Sequence, residues 1–183
     1  MTSRTTIFTL LAATLLALTA LPAHAQSSSQ DFSRDGFFIG LGLGYGSLGI
    51  EDFDEREGAL SGYLKLGGAV NESLLLGVET NGWVDEEGGA TVTFGNLSGI
   101  AQFYPSETNN FYLKVGAGLA RIDLDLGIGG SDGETGLGLV AGAGIDIPLG
   151  SRFALTPYAN FNYGNIEDTG ITVFQFGAGV SWY

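Results

Sequence analysis

The sequence predicts an all-β protein, an eight-stranded antiparallel transmembrane β-barrel in up-and-down meander order. Three observations carry that reading. Segments of roughly ten residues alternate between bulky apolar side chains and Gly or small polar ones, a period of two that belongs to strands. The small, polar face is too slight to be the outside of a soluble protein, so the bulky face is read as pointing outward into lipid. The chain opens on an export signal and then holds no run of about 18 unbroken apolar residues, which argues against a membrane helix. A closed barrel is the other structure that satisfies its own backbone in lipid.

The leader comes first. Arg4 supplies a positive n-region, residues 7–21 an apolar run, and Ala23-His24-Ala25 an A-x-A site, so cleavage is expected between Ala25 and Gln26. Residues 26–35 then form a short periplasmic segment and residues 36–183 the barrel domain. Removing the leader leaves 158 of the 183 residues, enough for one domain, and the loss of Arg4 moves the formal net charge from −13 to −14. Such an acidic chain has no basic stripe to meet a phosphate backbone, which excludes nucleic acid as a partner. It has no Cys, so neither a disulfide framework nor a thiolate metal site is available. All 31 Gly lie beyond the leader. They would weaken a packed soluble core, but in a narrow barrel they allow curvature and leave room for side chains from the opposite wall.

Eight stretches fit the alternation. The first spans residues 37–45, with Phe37, Ile39, Leu41, Leu43 and Tyr45 outward over Gly40, Gly42 and Gly44. The second and third are residues 60–70 and 74–83. The fourth, 91–104, sets Leu97, Gly99, Ala101 and Phe103 outward over Asn96, Ser98 and Gln102. The fifth to seventh are 111–123, 137–147 and 153–163. The eighth, 172–182, carries Phe174, Phe176, Ala178, Val180 and Trp182 on one face and Gln175, Gly177, Gly179 and Ser181 on the other. Each is long enough for a tilted strand to cross a bilayer. Pro157 falls in mid-strand, where it cannot donate to a ladder, and a bulge is expected there, with a shifted strand boundary as the alternative.

The connections alternate in length. Residues 71–73, 105–110 and 148–151 are short; 46–59, 84–90, 124–136 and 164–171 are longer and carry the acids. Short turns mark the periplasmic end of such barrels and longer loops the external end, which puts both termini in the periplasm. Outward aromatics then gather into two girdles. Phe37, Phe103, Phe111, Phe153 and Trp182 form the periplasmic one, and Tyr45, Tyr163 and Phe174 the external one.

With these features the mature chain resembles the small eight-stranded outer-membrane β-barrel family, which includes the OmpX-like and Opa-like proteins and the transmembrane domain of OmpA. The resemblance implies residence in the outer membrane among its lipid and lipopolysaccharide. It also implies that the barrel-assembly machinery reads the last strand, here Phe174, Phe176, Val180, Trp182 and Tyr183. One departure is that Tyr183 directly follows Trp182 instead of lying two residues beyond it.

The only His is His24, inside the leader. The phospholipases, lipid A deacylases, palmitoyl transferases and omptin-type proteases of similar architecture use a His as general base, so none of their mechanisms can run in the mature chain. No catalysis and no cofactor are expected.

The interior reading centres on four charges. A hairpin centred near Glu72 sets Lys65 opposite Glu79, Tyr63 opposite Asn81 and Ser61 opposite Trp83. A loop centred near Gly130 sets Lys114 opposite Asp146. A charge in a narrow lumen is tolerable only when paired, so Lys65–Glu79 and Lys114–Asp146 are expected as ion pairs. Tyr63, Tyr104, Tyr112 and Tyr158 face inward by the same register. Arg121 faces outward near the external end, as an interfacial side chain reaching water or as a contact to a lipid headgroup. The external acids read as a solvated surface, with wrong spacing for a calcium loop.

The function expected is a structural or surface-interacting barrel with acidic external loops. A narrow pore for small, preferably cationic solutes is the first alternative. A soluble periplasmic lipocalin-like binder is the second, and it requires the bulky apolar side chains inside.

Overall fold

The computed structural model describes residues 32–106, 109–125 and 131–183. The expected leader, the cleavage site at Ala25 and Gln26, and residues 26–31 lie outside them. Eight long strands follow one another: β1 Phe37–Ile50, β2 Arg56–Asn71, β3 Leu74–Glu87, β4 Ala90–Phe103, β5 Phe111–Asp125, β6 Ser131–Ile145, β7 Phe153–Ile166 and β8 Thr169–Trp182. Each pairs antiparallel with the next, and β1 pairs with β8 to close the barrel. Closure leaves no edge strand, so the backbone ladder satisfies itself in a solvent without hydrogen-bonding groups.

The register sets the shape. From Gly44, the ladder passes one way through Ser61, Trp83 and Phe94 to Ile122. The other way it passes through Gly177, Tyr158 and Gly144 to Tyr112. The two routes reach β5 ten residues apart, a stagger that tilts the strands around a lumen only as wide as its own side chains.

The alternation is inverted, as a lipid-facing wall requires. Leu41 and Leu43 are 51% and 64% exposed, while Lys65 and Glu79 are each 1% exposed. The lipocalin-like alternative fails on this point, because the bulky apolar face is outside.

Two expectations are corrected. The longer connections are mostly strand. Residues 51–55 separate β1 from β2, Gly88-Gly89 alone separates β3 from β4, and Glu167-Asp168 alone separates β7 from β8. Both two-residue turns have positive φ throughout, at 63° and 87° in the first and 49° and 64° in the second. That is the geometry matching the right-handed twist of a hairpin. The ladder continues past the apolar band because each strand still has neighbours to bond, so many of the acids stand on strand ends and tight turns.

The expected bulge at Pro157 is absent. Pairing of β7 with β8 runs unbroken through Pro157↔Ala178. The interruption falls on the other side, where the β6–β7 ladder stops at Gly144↔Tyr158 and resumes in the same register at Ile147↔Leu155. Two pairs, Ile145 with Pro157 and Asp146 with Thr156, thus drop out of the ladder around the missing Pro N–H. On its other side β6 keeps its register with β5, and the Asp146 N–H donates to the Asn110 carbonyl at 2.9 Å.

Gly44 and Gly177 face each other in the closing β1–β8 seam. A Cβ on either would overlap backbone of the partner strand, whereas a Cβ at outward Gly82 meets nothing within 4 Å. Gly44→Val is therefore expected to lower stability by about 1–3 kcal/mol through overpacking. Gly82→Ala should stay within about 0.5 kcal/mol. Urea midpoints in detergent, followed by tryptophan fluorescence, compare the two.

Candidate functional site in the barrel lumen

Inward side chains from all eight strands fill the lumen in three layers. In the middle, Lys114 Nζ donates to Glu79 Oε1 and Oε2 at 2.6 and 2.5 Å, and Asn81 Nδ2 donates to Glu79 Oε1 at 2.8 Å. This fully enclosed ion pair is braced by an amide, as burial of two charges requires. Lys65 lies opposite Glu79 in the ladder but turns away from it. Its ammonium donates to Gln102 Oε1 at 2.8 Å and sits 4.8 Å from the Tyr112 ring centre. Gln102 Nε2 donates to the Tyr104 hydroxyl at 2.5 Å. Asp146 accepts at Oδ2 from the Tyr104 and Tyr183 hydroxyls, both at 2.6 Å, and at Oδ1 from Thr156 at 2.7 Å.

The expected pairs are thus exchanged. Lys114 faces Gly142 in the ladder, not Asp146, because the β5–β6 hairpin centres two residues before Gly130. Lys65 and Asp146 are joined through the neutral chain of Gln102 and Tyr104. Glycines govern which way the long cations bend: a Cβ at Gly40 would press on the Lys65 stem, and one at Gly142 on the Lys114 stem. In so narrow a tube each ammonium chooses among acceptors around the whole ring, so the ladder neighbour holds no priority.

The outer layer is apolar. Leu48, Trp83, Phe94, Ala120, Ile166, Ile171 and Val173 pack into one buried cluster. The Trp83 indole N–H donates to the Gly46 carbonyl at 3.1 Å, so the ring enters the plug without a stranded donor. The expectation of a small, polar interior does not hold at this end. Ile166 and Ile171 fall in the expected 164–171 connection and are inward because the strands run on to the tips, whereas Phe94 shares the inward parity of Asn96 and Ser98 in the expected fourth strand.

The periplasmic layer is aromatic, built from Phe38, Leu75, Tyr104, Tyr112, Ala154 and Tyr183. The segment before β1 folds against it. Phe32 meets Tyr183 edge-on at 5.5 Å between ring centres, and the Arg34 guanidinium lies 3.9 Å from the Tyr104 ring centre. Both Arg34 terminal nitrogens donate to Asn110 Oδ1 at 3.2 Å. Neither Arg34 nor this strap was singled out in the sequence; the signal was an Arg between aromatics just ahead of the first strand.

On the outer wall, Phe174, Phe176 and Trp182 are exposed and Val180 half-buried, whereas Tyr183 turns inward and is buried. Arg121 faces outward, and its charge is met by Asp123, with Nη2 to Oδ1 at 2.6 Å. The described residues bring no three carboxylates or imidazoles together to hold a metal ion.

The outer membrane protein beta-barrel domain family matches this chain over residues 13–183. Among solved structures it is similar to Neisserial surface protein A, NspA, at 18% identity and a TM-score of 0.68, covering 81% of this chain and 97% of that one. It is also similar to Ail, the attachment invasion locus protein of Yersinia pestis, at 17% identity and a TM-score of 0.55, covering 81% and 99%. Ail in complex with the heparin analogue sucrose octasulfate matches at 18% and 0.54 over the same shares. At these identities the likeness is one of fold. No curated protein matches the chain in sequence.

Removing one member of the enclosed pair strands the other charge. Glu79→Ala is expected to destabilise the barrel by about 3–5 kcal/mol. The double replacement Glu79→Leu with Lys114→Met should recover most of that loss. Urea-induced unfolding of refolded protein, read as the midpoint shift, checks both.

Proposed function

The chain belongs to the outer membrane protein beta-barrel domain family, and we propose that it serves the outer membrane as a sealed, non-catalytic barrel with a structural or surface-interacting role. The observation that carries this is the layered lumen. An apolar plug stands across its outer part, the Phe32–Arg34 strap covers its periplasmic part, and an ion pair spans the middle. An apolar constriction resists wetting, and a solute would have to break the Lys114–Glu79 pair in passing.

The non-catalytic reading is supported by the lack of His after the expected leader and by carboxylates that are already engaged. Glu79 is held by an ammonium and Asp146 by three hydroxyls, so neither is free to act as base or nucleophile. What is offered to the outside is the acidic rim, with exposed Phe53 among Glu51, Asp52, Asp54 and Glu55. That charge favours cationic partners at low salt and repels polyanions such as the sulfated ligand of Ail. The last strand, with its outward Phe174, Phe176 and Trp182, is what the assembly machinery would read.

Planar-bilayer recording tests the reading. The wild-type barrel is expected to give no steady openings. Combined Trp83→Ala and Phe94→Ala with Phe32→Ala and Arg34→Ala should produce them. Stable cation-selective openings from the wild type would overturn the sealed barrel in favour of the narrow pore.

A further inference from the structure

Building on the outer-membrane reading, we propose that Arg56 on the external part of the lipid-facing wall is a seat for the phosphate group of an outer-leaflet lipid. Arg56 opens β2, and its side chain lies flat across β1 to reach β8. Nε donates to Ser47 Oγ at 3.0 Å and Nη1 to Thr172 Oγ1 at 3.0 Å. Nη2 donates to the Ser47 and Thr172 carbonyls at 2.5 and 3.3 Å. Gly49 makes the crossing possible, since a Cβ there would overlap the guanidinium.

Every one of these partners is a neutral oxygen. Among the described residues no carboxylate forms an ion pair with Arg56, in contrast to Arg121, whose charge Asp123 cancels. Arg56 therefore presents a fixed, uncompensated cation on an otherwise acidic rim. Four of its five N–H groups are used to hold it in place, with the Nε/Nη2 edge on Ser47 and the Nη1/Nη2 edge on Thr172; one on Nη1, on the edge turned away from Ser47, remains. A phosphate oxygen there takes one charge-assisted bond and meets a cation that no carboxylate has cancelled.

Depth and surroundings select a lipid-borne phosphate over a free one. The guanidinium sits 5.0 Å from the ring centre of Phe174, which itself packs on Phe161 at 4.9 Å. Those rings, with Tyr45 and Phe176, form the external aromatic girdle, so Arg56 stands at headgroup level immediately above it. Farther down the same strand an apolar groove of about 410 Å³ opens on the outer wall, lined by Leu41, Leu43, Leu60, Gly62, Leu64 and Gly82. A lipid with its phosphate on Arg56 has this groove beneath it for an acyl chain.

The test offers barrel refolded in phosphate-free maltoside micelles three probes in separate arms: phosphorylated lipid A, the same lipid stripped of phosphate, and inorganic phosphate. Retained lipid is read by native mass spectrometry, and folding by heat-dependent gel mobility. Wild type should retain the phosphorylated lipid about tenfold over the stripped one. Arg56→Gln should erase that preference, Arg56→Lys should keep part of it, and Arg121→Gln should leave it intact. Gly49→Ala, which keeps the charge but displaces it, should also erase it and serves if Arg56→Gln does not fold. An unchanged preference in Arg56→Gln or in Gly49→Ala, equal retention of both lipids by the wild type, or displacement by inorganic phosphate at equal concentration overturns the proposal. A folded barrel without the preference sinks this site alone; a chain that partitions into buffer sinks the membrane reading as well.

Discussion

Closure of the backbone ladder between β1 and β8 is the constraint on which the rest of the molecule depends. In hydrocarbon an unpaired amide has no water to turn to, so the strands must meet as a ring. Eight strands with a stagger of ten residues leave a lumen that side chains alone can fill. Glycine at the seam follows from this. Gly44 and Gly177 sit where each strand's carbonyls press on the other, and a side chain at either place would hold the ring open.

The filling of that lumen then follows a hydration logic. Charges stand in the middle, where amides and hydroxyls from opposite walls can satisfy them. Apolar and aromatic groups close the ends. Lys114 and Glu79 meet directly; Lys65 and Asp146 reach each other's field through Gln102 and Tyr104. Distributing two cations and two anions along the tube keeps each within a low-dielectric network instead of concentrating one pair. The layering also couples the last residue to the first described ones, since Tyr183 bonds Asp146 on one side and packs against Phe32 on the other.

The wall was the legible part of the sequence, because a period of two over ten residues has one physical cause. Register was legible where a turn was short. The three residues between the second and third strands were enough to place Lys65 against Glu79, Tyr63 against Asn81 and Ser61 against Trp83. It failed where the connection was long: Lys114 was set against Asp146 and lies against Gly142, a slip of four residues from a centre misjudged by two. Ion-pair partners were beyond reach even where register was right, since they depend on how far a lysine stem bends over a glycine on another strand. Polar strand ends such as Asp85-Glu86-Glu87 read as loop because hydropathy marks the membrane and not the end of pairing. The importance of Arg56 was hidden for the same reason. It falls in a stretch that reads as acidic loop, and its seat is made by residues 9 and 116 positions away.

The outward-facing hairpins at Gly88-Gly89 and Glu167-Asp168 carry one more consequence. A protease on the cell exterior must draw several residues of extended chain into its cleft. A two-residue turn clamped by paired strands has none to give. Rigidity alone therefore makes these tips poor substrates for digestion.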